Sequence, residues 1–102
     1  MKEYDLFVPL YYNDGSEVEP AKLLRLEDRL LEEFTGLTVF PQPNRGYWRM
    51  AGVTYRDEII VYRVVTPNTQ AARRFLRRLK EQLKRDLKQE EILIIERDVK
   101  TL

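Results

Sequence analysis

Leu37–Thr66, LTVFPQPNRGYWRMAGVTYRDEIIVYRVVT, decides how the rest of the chain is read. Its second half, Val53–Thr66, is rich in β-branched and aromatic residues and is the strongest strand signal in the sequence. Pro67 stops it. The first half opens with a short apolar strand, Leu37–Phe40. Pro41, Pro43, Asn44 and Gly46 then break regularity. Tyr47–Met50 reads as a further short extended piece, and Gly52 as a turn or bulge. Two strands therefore follow one another with a loop, and no helix, between them.

Before this stretch, residues 4–12 (YDLFVPLYY) alternate like a strand: Leu6, Val8 and Leu10 share one side, Phe7 and Tyr11 the other. Asn13-Asp14-Gly15 turns the chain. Pro20 suits the first turn of a helix, and Leu23, Leu26, Leu30 and Phe34 form its apolar stripe. Gly36 is placed to end that helix in a left-handed conformation. After the stretch, Asn68 or Thr69 caps a second helix with the stripe Ala72, Phe75, Leu76, Leu79, Leu83 and Leu87. Ile92–Val99 is the last strand.

The order is β-α-β-β-α-β. It predicts an α+β domain of the ferredoxin-like type over 1–102, a four-stranded antiparallel sheet with two helices on one face. A chain of 102 residues fits one such domain. With no Cys and no His, disulfides, thiolate chemistry and histidine-based catalysis are excluded, and a zinc site is not expected. Carboxylates alone leave a hard cation open, but no metal or cofactor site is assigned. Eighteen basic against 17 acidic residues leave a net charge of +1, so bulk charge does not call for a polyanion partner. No apolar run is long enough for a membrane, and the N-terminus has no leader pattern, so a cytoplasmic location is expected.

Helices cover one sheet face only. The other should be polar in a monomer, yet both sides of the strands read apolar: Phe7 and Tyr11 against Leu6, Val8 and Leu10, Ile59 and Val61 against Ile60, Tyr62 and Val64, and Ile92 and Ile94 against Leu93 and Ile95. A patch of that kind predicts self-association through the open face, as a dimer or trimer.

Three readings of function follow. The first is a ligand-binding or regulatory module that is not an enzyme. Its site is the segment between the second and third strands: Arg45, Arg49 and Arg56 offer forks for a small anionic ligand, and Tyr47, Trp48 and Tyr55 offer amphipathic surface. The second is a nucleic-acid-associated protein using Arg73, Arg74, Arg77, Arg78, Lys84 and Arg85 on the second helix. Against it stands the ordinary solvated face of an amphipathic helix. The third is a histidine-independent enzyme using Tyr55, Asp57 or Glu58 for proton transfer. One of those two acids is expected to pair with a nearby arginine. No catalytic residue is assigned.

The order of elements, with its connection between strands two and three, resembles the PII-like and divalent-cation-tolerance-like signalling proteins. That resemblance implies a trimeric ferredoxin-like domain, with small ligands at subunit clefts near that connection. Gly36-Leu37-Thr38 followed by Gly46-Tyr47-Trp48 also resembles small bacterial domains of unknown function. The glycine-rich nucleotide-binding signature of PII proteins is missing, and no residue role is carried over.

Overall fold

The computed structural model describes the backbone of all 102 residues and every side chain except that of Gln42. The elements are β1 (Lys2–Pro9), α1 (Pro20–Phe34), β2 (Thr38–Met50), β3 (Val53–Thr66), α2 (Gln70–Asp86) and β4 (Leu93–Asp98). The strands form one antiparallel sheet in the order β2-β3-β1-β4.

Alternation along the strands decides which side chains meet the helices. Tyr4, Leu6 and Val8 of β1 lie opposite Val64, Tyr62 and Ile60 of β3. They pack with Leu26, Leu30 and Phe34 of α1 and with Leu76, Leu79 and Leu83 of α2. Phe34 and Phe75 join the two helices edge to face, with ring centroids 5.5 Å apart. Burying such side chains is worth about 1.5–3 kcal/mol each, so this layer carries most of the fold's stability.

The helix ends follow local chemistry. Pro20 opens α1, where its missing N–H costs nothing. Thr69 caps α2 by accepting a hydrogen bond from Ala72 N at 3.1 Å, while Lys84 and Arg85 sit in the last turn beside its negative dipole end. The left-handed residue after α1 is Thr35 (φ 58°) rather than Gly36, because the Thr35 N–H turns back to Leu31 O.

Two strands differ from expectation. β1 ends at Pro9, and Leu10 instead donates to Glu58 O and accepts from Val18 N. Tyr11 therefore leaves the sheet and bridges Glu17. The larger difference is in residues 41–52, which are not a loop. β2 runs unbroken from Thr38 to Met50, with one irregularity in register between Phe40 and Asn44. Pro41 and Pro43 are tolerated because β2 is an edge strand whose outer side needs no donors. Ala51 (φ 51°) and Gly52 (φ 78°) make a two-residue turn with both residues left-handed, the geometry that matches strand twist in a tight hairpin.

β1 flanks β3 only as far as Ile59. Beyond it, six residue pairs from Arg45–Glu58 to Met50–Val53 continue as a two-stranded ribbon, about 20 Å long. The ribbon stretches the molecule to 41 × 29 × 25 Å, with a radius of gyration of 14.0 Å. A rounder chain of this length would have about 13 Å.

Candidate functional site

The ribbon carries all six residues predicted to bind a ligand, and strand alternation sorts them onto opposite sides. Arg45, Tyr47 and Arg49 of β2 face Glu58, Arg56 and Thr54 of β3. Trp48 lies opposite Tyr55, on the side that also holds Gly46, Met50, Val53 and Asp57. The expectation of one pocket built from all six is therefore corrected: four form a cationic side and two form an aromatic side.

The cationic side is a grid about 13 Å by 5 Å, from the strand repeat and the cross-strand spacing. Arg49 Nε donates to Thr54 Oγ1 at 3.3 Å. Among the described residues, Arg45, Arg49 and Arg56 have no ion pair. Tyr47, between two of them, is 62% exposed.

The aromatic side is held together by contacts of its own. Trp48 and Tyr55 stack with centroids 4.5 Å apart and planes 19° from parallel. The Trp48 indole N–H donates to Asp57 Oδ2 at 2.8 Å, so Asp57 orients the indole instead of pairing with an arginine. Gly46 leaves room for Ile59: a Cβ there would lie 2.9 Å from Ile59 Cδ1. This side runs on into the open face of the sheet, where Phe7, Phe40, Val61, Leu93 and Ile95 share registers.

The open face is not uniformly apolar, which sequence reading missed. Asp5, only 3% exposed, sits on it between Arg63 of β3 and Arg97 of β4. Arg63 donates to both carboxylate oxygens, at 2.8 and 3.0 Å, and Arg97 Nη1 donates to Oδ2 at 2.8 Å. Glu3 completes the group at 3.1 Å from Arg63 and 3.3 Å from Arg97. The Arg63 hydrogen bonds, joined by those of Arg97, hold the Asp5 carboxyl below the usual range against the opposing effect of burial. Arg63 also lies over the Phe40 ring at 5.0 Å. The signal was the shared parity of Glu3 and Asp5 with Phe7, opposite Arg63 and Arg97.

The basic helix is partly committed. Arg73 binds Glu96 at 2.9 Å, and Glu96 also accepts from Tyr4 Oη at 2.8 Å. Lys84 lies 3.6 Å from Glu81. Arg74, Arg77, Arg78 and Arg85 are exposed. They form no ion pair among the described residues.

Two cavities lie on the helix side, and neither touches the ribbon. One of about 100 Å³ is lined by Val8, Leu26 and Leu83 between the helices. The other, of about 410 Å³, lies by Tyr12, Glu19, Lys22 and Lys88. There Lys22 Nζ donates to Tyr12 Oη at 2.7 Å and to Asp86 O at 2.8 Å, pinning the β1–α1 connection to the end of α2. Among the described residues there is no cluster of three acids that could hold a metal, and no helix is long and apolar enough to cross a membrane.

No family model matches the chain, and no curated protein matches it significantly. Solved structures do. A phage SAM lyase in complex with S-methyl-5'-thioadenosine superposes with a TM-score of 0.66 at 12% identity, covering 95% of this chain and 80% of the lyase. The apo phage SAM lyase gives 0.66 at 14%, covering 94% and 78%. A mutant of CutA1 from Pyrococcus horikoshii OT3 gives 0.62 at 16%, covering 100% and 86%. At these identities the likeness is one of fold, a small α+β domain of the kind CutA1 has.

Proposed function

We propose that this chain is a single ferredoxin-like domain, working in the cytoplasm as a self-assembling ligand-binding or regulatory module whose ligand is a small, multiply charged anion. The observation that carries the reading is the cationic side of the ribbon. Among the described residues Arg45, Arg49 and Arg56 have no ion pair, as is also true of Arg74, Arg77, Arg78 and Arg85 of α2; what sets them apart is that strand pairing gathers them around the exposed Tyr47 on one side of the ribbon. Guanidinium forks suit oxyanions, and the grid is long enough for two linked anionic groups. A phage SAM lyase of similar fold was solved in complex with S-methyl-5'-thioadenosine, so a domain of this shape can hold a small ligand, which supports the reading.

Calorimetric titration with inorganic pyrophosphate tests it. Binding is expected to weaken with added salt. The variant carrying Arg45→Gln, Arg49→Gln and Arg56→Gln is expected to bind about 3- to 150-fold more weakly, since exposed charge contacts are worth about 0.2–1 kcal/mol each. No binding by the parent chain, or equal binding by the variant, rejects the assignment.

A further inference from the structure

The second basic surface of the molecule lies on α2, and the proposed anion site does not use it. We infer that the outward face of α2 docks on the phosphate backbone of double-stranded DNA, without reading its sequence. The inference stands apart from the ribbon site and does not depend on it.

Three observations carry it. First, the arginines are gathered and unpaired. α2 completes a turn every 3.6 residues, so Arg74, Arg77, Arg78 and Arg85 fall within about 100° of arc, opposite the buried Ala72, Leu76, Leu79 and Leu83. All four are exposed, and none has an ion pair among the described residues. The acid that shares their arc, Glu81, lies 3.6 Å from Lys84. The acids of α1 (Glu27, Asp28, Glu32 and Glu33) pair with none of the four.

Second, charge is separated within the chain. α2 carries seven basic and two acidic residues. The rest of the chain has 11 basic against 15 acidic residues, so the net charge of +1 conceals a basic surface. Arg25 and Arg29 of α1 border the crevice between the helices, and Arg29 donates to Gln82. Guanidinium groups thus continue from α2 onto its neighbour.

Third, spacing and composition select the partner. Arg74 to Arg85 spans about 16 Å of helix. One DNA strand presents a phosphate every ~3.4 Å of duplex axis, so about five phosphates lie within that span. Apart from Ala71 at its edge, the arc holds no apolar side chain, whereas protein interfaces centre on buried aromatic or aliphatic anchors. It also lacks the aromatic rings on which single-stranded bases stack. A helix about 10–12 Å across fits the ~12 Å major groove of B-DNA, while the A-form major groove of RNA is too narrow.

Fluorescence anisotropy with a labelled DNA duplex of about 20 bp, over a series of salt concentrations, tests this. Four phosphate contacts predict a slope of log K against log salt of about −3 to −4. Replacing Arg74, Arg77, Arg78 and Arg85 together by Gln should flatten the slope nearly to zero, and each single replacement should lower its magnitude by about 1. None of the four is buried or paired, so the fold should survive; the single variants serve if the fourfold one fails to fold. The triple ribbon variant should bind the duplex as the parent does. A parent that does not bind, or a slope unchanged by the α2 substitutions, overturns the inference. Loss of DNA binding in the ribbon variant also overturns it, because the ribbon would then be the contact. Equal affinity for an RNA duplex of the same sequence refutes the groove seating. Displacement of the duplex by polyglutamate at equal charge would point to an acidic protein instead and overturn the choice of DNA.

Discussion

Replacing Asp5 by Asn isolates the charge group at the centre of the open face. The carboxylate accepts three hydrogen bonds from two guanidinium groups. Charge-assisted bonds are worth about 1.5–3 kcal/mol each, but their sum overstates the loss, because both arginines regain water when the carboxylate goes. Side-chain exposures of 36% for Arg63 and 44% for Arg97 make that recovery easy. Breaking a fully buried pair costs about 3–5 kcal/mol and an exposed one at most about 1. An intermediate loss of about 2 kcal/mol follows, a drop in melting temperature of about 8–16 °C. Circular dichroism melts at a fixed protein concentration measure it, since assembly itself shifts the midpoint.

The pH dependence checks the cause. Asp5 has a carboxyl held below its ordinary value of 3.8 in the folded chain. Its ionisation therefore stabilises the fold above that value, and the contribution disappears as pH falls through the lower, folded one. The gap between parent and Asp5→Asn should be full at neutral pH and close in strong acid. A gap under about 0.5 kcal/mol at pH 7, or one that persists undiminished in acid, refutes this account of the network.

Two further outcomes concern the turn and the core. Ala51 is held at φ 51° beside Gly52, so Ala51→Asn should stabilise the hairpin by about 0.5–1 kcal/mol, seen as slower amide exchange in the ribbon; unchanged exchange would count against the left-handed turn. Tyr62 is buried, and loss of hydration, with Glu27 adding repulsion, pushes its hydroxyl up to about 12. A raised value stabilises the fold below the ordinary 10.0 and is lost as pH climbs toward 12. Burial and Glu96 raise the Tyr4 hydroxyl as well, so spectrophotometric titration should show late-titrating tyrosines in the parent, with one fewer in Tyr62→Phe, and a full early titration would contradict the burial of Tyr62.

The helices were legible because their signals are local. Pro20, Thr69 and the two leucine stripes act within a few residues, so sequence placed both helices nearly to the residue. The α+β class followed from the alternation of periods. The Pro41–Gly46 stretch misled, because proline and glycine usually break strands and here lie on an edge. Whether a proline breaks a strand depends on which neighbour needs its N–H, and that is settled by sheet order.

The ligand-binding residues were legible as types but not as a group. Arg45, Tyr47, Trp48, Arg49, Tyr55 and Arg56 looked like one site while their segment read as a loop. Once the segment pairs as two strands, alternation sends Trp48 and Tyr55 one way and the arginines and Tyr47 the other. Asp5 was hidden for a related reason: its partners are 58 and 92 positions away.

By itself, then, the sequence determined the element order, the helix ends, the apolar open face and the absence of thiol and imidazole chemistry. These depend on residue type and short spacing. Only the tertiary structure decided that residues 41–52 are a ribbon, that the predicted site has two sides, and that a charge group sits within the apolar face. Those facts depend on register, which long-range pairing fixes and no local pattern records.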